Sequence, residues 1–114
     1  MQFAVGVIGV GNMGAALVRG IIDKGTVNAQ SVIVCDLDQD IVGRICDDLG
    51  VVDGIEATHV AGSADLVVLA AKPQNLTSLL AEISPSINAN QTIMSIAAGV
   101  TTQSIEESLG GQPS

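Results

Sequence analysis

Apolar residues fall along this chain in two alternating rhythms. Phe3 to Ile8 is a short run rich in Val and Ile, stopped by Gly9, the pattern of a strand covered on both faces. From Asn12 the period becomes helical. Met13, Leu17, Val18, Ile21 and Ile22 make one stripe, Arg19, Asp23 and Lys24 lie off it, and Gly25 is placed to end the helix. Ser31 to Asp36 is a second buried-type strand. Asp38 or Asp40 can cap the next helix, whose apolar positions are Ile41, Ile45, Cys46 and Leu49, and Gly50 closes it. Val51-Val52 predicts a very short third strand, residues 54–63 read as loop with about one helical turn, and Asp65 to Ala71 is the clearest strand. Pro73 opens a helix with Leu76, Leu79, Leu80 and Ile83 on its apolar face, and Pro85 ends it. Thr92 to Ala97 predicts a fifth strand and residues 101–109 a last helix, capped by Thr101 or Thr102, before a polar tail rich in breakers.

Strands alternating with helices predict βαβ units and a parallel sheet. The most economical arrangement is an α/β, Rossmann-type doubly wound sheet of about five strands in the order 3-2-1-4-5, with helices on both faces. It is expected to form one domain over residues 1–114, with no internal repeat and no linker.

Composition narrows the functional classes. Apolar residues make up 47% of the 114 positions, too many for a disordered segment. Phe3 is the sole aromatic residue, so base-stacking platforms are missing, and four Lys/Arg against twelve Asp/Glu give a net charge of −8 that repels phosphate backbones. Nucleic acid is therefore not an expected partner. The longest apolar run, Leu66 to Ala71, is far short of the ~20 residues that cross a bilayer, and the N-terminus carries no basic segment of a signal peptide. A cytoplasmic protein without a membrane partner is expected. Cys35 and Cys46 match no metal or redox spacing and read as small buried hydrophobes. His59, the one histidine, lies in a weakly patterned stretch, and no metal-ligand cluster or nucleophilic triad can be assembled.

The chemistry concentrates at the glycines. Gly9-Val10-Gly11-Asn12-Met13-Gly14 matches G-x-G-x-x-G directly after a strand, at the opening of a helix, inside a βαβ unit of about 30 residues. Gly9 suits the tight turn, Gly11 lets backbone approach a pyrophosphate, and Gly14 lets the helix pack on the sheet. Free N–H groups at Asn12 and Met13 then face the anion. An acidic residue is expected roughly 20 residues on, at the end of the second strand. Asp36 stands there, 22 residues past Gly14, and its carboxylate can accept from a ribose 2′-hydroxyl and repel a 2′-phosphate. Asp38 and Asp40 add negative charge, residue 37 is Leu, and no Lys or Arg lies between Cys35 and Ile41, so the local sequence favours NADH over NADPH. Lys72-Pro73 ends the fourth strand and Ala97-Ala98-Gly99 the fifth, where open α/β sheets place ligands.

Together these residues resemble pyrroline-5-carboxylate reductase. The similar stretches are IGVGNMGAALVRGII (8–22), ADLVVLAAKPQN (64–75) and TIMSIAAGVT (92–101), in order across nearly the whole chain. The G-x-G-x-M-G pattern alone is shared with β-hydroxyacid dehydrogenases, whereas A-x-K-P-Q at Ala70 to Gln74 together with Ser95 to Val100 is much more specific. The resemblance implies hydride transfer from NAD(P)H to the C=N bond of 1-pyrroline-5-carboxylate, giving L-proline. It implies that Ile8, Gly9, Val10, Gly11, Asn12 and Met13, with Ala70, Ala71, Lys72 and Pro73, line the dinucleotide, and that Ala97 and Ala98 lie near the nicotinamide. Lys72 is the local candidate for a catalytic cation beside the imine. The family often uses NADPH, with Ser or Arg after the second strand, and often has an Asn near position 57; Asp36-Leu37 and Ala57 depart from both habits. The family also continues into a further strand and a helical domain that dimerises and supplies much of the substrate pocket. This chain is thus expected to be a cofactor half, inactive alone and homo-oligomeric in the full-length protein. The alternatives are a dinucleotide-binding module or sensor without catalysis, and the cofactor domain of a β-hydroxyacid dehydrogenase.

Overall fold

A computed structural model describes residues 2–96. Strands β1 (Phe3–Ile8), β2 (Val32–Cys35), β3 (Val52–Asp53), β4 (Ala64–Leu69) and β5 (Thr92–Ser95) form one sheet in the order β3-β2-β1-β4-β5. Every pairing is parallel, with Val5 opposite both Val32 and Leu66, and Val67 opposite Ile93. Helices α1 (Asn12–Asp23), α2 (Gln39–Leu49), α3 (Ala57–Ser63) and α4 (Pro73–Ile83) connect them. The doubly wound arrangement expected from the alternation of elements is the one observed.

The two-residue period of the strands sorts the core into two layers. Val5, Val7, Val32, Val34, Leu66 and Val68 meet Leu17, Val18 and Ile21 of α1 and Val42 and Ile45 of α2. The opposite parity, Ile33, Cys35, Val67 and Leu69, meets Val60 and Ala61 of α3 and Ile83 of α4. Strands buried on both faces explain the near-continuous apolar runs. The first helix ends as expected, with the N–H groups of Gly25 and Thr26 donating back to the carbonyls of Ile22 and Ile21.

Three expectations are corrected. Residues 57–63 form a seven-residue helix rather than loop, because burial of Val60 and Ala61 against the sheet outweighs their weak local pattern. Met13 leaves the buried stripe of α1 and is 52% exposed, because it borders an open cleft rather than the core. Leu80 is 42% exposed; it lies one step round the helix from the line of Leu76, Leu79 and Ile83 that contacts the core. Strand ends also shift. β2 is shorter by one residue at each end, β3 falls on Val52–Asp53, and β4 runs Ala64–Leu69, without Ala70 and Ala71. β5 ends at Ser95; Ala97, Ala98 and the helix expected over 101–109 lie outside the described residues.

Candidate functional site

Strands β1 and β4 are neighbours, yet the chain leaves them toward opposite edges of the sheet. Such a reversal opens a crevice at the carboxyl ends of the strands. Backbone bonds fix its floor. The Gly9 N–H donates to the Cys35 carbonyl at 2.8 Å, Ala70 to Ile8 at 2.8 Å, and Ile96 to Leu69 at 3.0 Å. Gly9 has φ +101° and a Cβ there would stand 3.0 Å from the Ala70 carbonyl oxygen, so the turn requires glycine twice over. A Cβ at Gly14 would overlap the carbonyl oxygen of Gly9, which shows how tightly α1 is pressed onto the turn.

That packing aims the start of α1 at open space. Gly11 is the N-cap, no side chain caps the helix, and its first turn holds no acidic residue. A Cβ on Gly11 would meet nothing within 4 Å. The first N–H groups of the helix, which have no intrahelical acceptor, therefore border a cleft of about 610 Å³. Its wall comprises Gly11 to Gly14, Ala70 to Lys72, Leu76, Ser95 and Ile96. Lys72 is exposed at the end of β4, immediately before Pro73 opens α4. Backbone donors, a macrodipole and a lysine make this an anion-receptive cleft with an apolar wall, the right size for a small-molecule ligand or cofactor.

Asp36 stands behind the turn. Its Oδ2 accepts from the Val10 N–H at 2.8 Å and its Oδ1 from the Asp38 N–H at 2.9 Å. Each oxygen keeps a lone pair for another donor. Capping of α2 falls to Asp38, whose carboxylate accepts from Asp40 and Ile41 at 3.0 and 3.4 Å. Leu37, between these two acids, is fully exposed. Below them Cys35 is buried, and its thiol is pushed up to about 12, chiefly by desolvation and then by Asp36, Asp53 and Glu82. Burial also raises the Cys46 thiol, with Asp53 and Asp47 adding to the effect. Both stay protonated at neutral pH. His59 is exposed on α3, and among the described residues no three His, Cys, Asp or Glu side chains could share a metal. No helix of the described residues is long and apolar enough to cross a membrane.

The structure brings together most of the residues singled out by the sequence. Gly11 to Gly14 and Ala70 to Lys72 share the cleft, while Ile8 and Val10 are buried and contribute backbone. Asp36 is not on the cleft wall; it joins the site through Val10. Leu76, Ser95 and Ile96 were not anticipated. Leu76 follows Pro73 by one helical turn, and Ser95 and Ile96 fall inside the 92–101 stretch, where only Ala97 and Ala98 carried a site role.

The fold and the glycine turn define a Rossmann-type domain. The chain belongs to the family described as NADP oxidoreductase coenzyme F420-dependent, whose model matches residues 4–99. Pyrroline-5-carboxylate reductase of Escherichia coli (strain K12) is 36% identical over 110 residues, covering 96% of this chain and 41% of that protein. The enzyme of the same name from Methanosarcina acetivorans is 31% identical over 105 residues, 92% of this chain and 39% of that protein. A solved pyrroline-5-carboxylate reductase from Coxiella burnetii superimposes with a TM-score of 0.77 at 30% identity, over 96% of this chain and 41% of that one. The resemblance drawn from the three sequence stretches is thus borne out, and the chain spans about two fifths of the length of these relatives.

Proposed function

We propose that this chain is the cofactor-binding domain of an NAD(P)-dependent reductase that converts 1-pyrroline-5-carboxylate to L-proline. The observation that carries the proposal is the match to pyrroline-5-carboxylate reductases across 96% of the chain, with the glycine turn and cleft falling inside it. The cleft suits the cofactor on physical grounds: uncapped N–H groups and Lys72 complement a pyrophosphate, and the bare Cα of Gly11 leaves room for it. When bound, the reduced nicotinamide supplies the hydride for the C=N bond. Ile8, Gly9 and Val10 supply backbone to the turn, Gly11, Asn12, Met13 and Gly14 receive the phosphates, and Ala70, Ala71, Lys72 and Pro73 flank the opposite wall. Ala97 and Ala98 are assigned to the nicotinamide by the resemblance alone. Lys72 is the local cation able to assist an imine.

NADH is the favoured form. Asp36 presents a carboxylate tied to the turn by Val10, and Leu37 offers no charge to a 2′-phosphate. The remainder of the substrate pocket, a homo-oligomer and a cytoplasmic location belong to the same proposal for the whole protein, since the relatives extend well beyond this chain. The chain alone is expected to bind cofactor without turning over. A paired titration followed by nucleotide fluorescence tests this, helped by the lack of Trp and Tyr. Saturable binding with NADH tighter is expected. Tighter NADPH binding would refute the role of Asp36, and binding of neither would refute the chain as a self-sufficient cofactor domain. A non-catalytic sensor is distinguished by proline formation in the intact protein, which a sensor would not support.

A further inference from the structure

We propose that Met13 is a peroxide-reactive site whose sulfoxide blocks the cleft to a dinucleotide; the consequence for binding rests on the cofactor reading above. The apolar residues that follow it on α1, Leu17, Val18 and Ile21, are 7%, 0% and 0% exposed, whereas Met13 is 52% exposed and lies on the cleft wall. Met94 is half-buried in β5 and packed against the core. The thiols do not compete well for oxidant, because only thiolate reacts quickly and both cysteines are held protonated. Among the described residues, Met13 is therefore the accessible sulfur beside the cleft.

The chemistry is a two-electron oxygen transfer. The Met13 Sδ lone pair attacks one oxygen of hydrogen peroxide, the O–O bond breaks, and proton transfer releases water. Sulfur is oxidised to the sulfoxide and peroxide is reduced. The product carries a negatively polarised oxygen on a flexible side chain. That oxygen stands beside the uncapped N–H groups of α1 and the ammonium of Lys72, the donors an incoming phosphate would use. It competes for them and disfavours a second anion nearby. Methionine sulfoxide reductases reverse the step, so the site can cycle.

The test exposes the full chain to hydrogen peroxide, quenches with catalase, maps each methionine by peptide fragmentation and titrates NADH in parallel. Met13 sulfoxide is expected to form at least about fivefold faster than Met94 sulfoxide. The NADH Kd is expected to rise about tenfold, and to recover after treatment with methionine sulfoxide reductases and dithiothreitol. Saturating NAD+ should slow oxidation at Met13 and not at Met94. Equal rates at the two methionines would overturn the assignment of the reactive site. Complete oxidation of Met13 with unchanged NADH affinity would overturn the switch and leave the cofactor reading standing. Failure of untreated protein to bind NADH or NADPH would instead overturn the cofactor reading and the binding consequence with it, and the ratio of oxidation rates would still judge Met13.

Discussion

Gly11 and Gly14 stand three residues apart in one turn, yet a methyl group at each should do opposite things. At Gly14 it collides with the Gly9 carbonyl, so Gly14→Ala is expected to cost about 3 kcal/mol in urea unfolding, in the range of overpacked sites. At Gly11 it enters open cleft with φ −67°, a value alanine adopts freely. Gly11→Ala should keep stability within about 1 kcal/mol of the parent while NADH affinity falls by about tenfold. A loss of stability at Gly11 without a loss of binding would contradict the geometry. Cofactor choice is also set at single residues. Replacing Asp36 by Ser and Leu37 by Arg removes a carboxylate and adds a guanidinium, and should move the NADPH-to-NADH affinity ratio upward by at least about tenfold. The place of Asp36 at a strand end was legible from spacing alone. Its bond to Val10, 26 residues away, was not, because it depends on β1 and β2 lying side by side.

Among the elements, α3 and β4 depend on a residue outside both. The Gln91 side chain, just before β5, donates to the carbonyls of Ala61 at 2.5 Å and Ala64 at 2.7 Å and accepts from the Asn88 N–H at 2.8 Å. It joins the end of α3 and the start of β4 to the loop that feeds the edge strand. Truncation by Gln91→Ala leaves those carbonyls without that donor and should cost about 2 kcal/mol, measured as a shift in denaturation midpoint at constant slope. By contrast the Arg19–Asp48 pair between α1 and α2 is exposed on both sides, and pairs of that kind contribute ~0–1 kcal/mol. Helices α1, α2 and α4 were legible because their stripes and stops are local signals. Helix α3 was not: its buried face is Val60 and Ala61, two residues whose value comes from the sheet beneath them.

At the scale of the whole molecule, burial of Cys35 between sheet and helices links stability to pH. Its thiol is raised from 9.0 to about 12, so the folded state holds the proton longer than the unfolded chain does. The contribution is complete below pH 9 and is lost as pH rises toward 12. Melting temperature should fall across that window, and more gently in Cys35→Val, which has no proton to lose; equal slopes in the two proteins would refute the link. The chain has no tyrosine to obscure the transition. By itself the sequence determined the succession of elements, the parallel doubly wound class and the turn built for an anion, because strand period, helix period and the backbone needs of glycine act over a few neighbouring residues. Tertiary structure decided what shares the cleft. Met13 faces it rather than the core, Leu76, Ser95 and Ile96 complete its wall, and Asp36 reaches it through Val10. Those relations join segments tens of residues apart, and only the order and register of the strands bring them within contact.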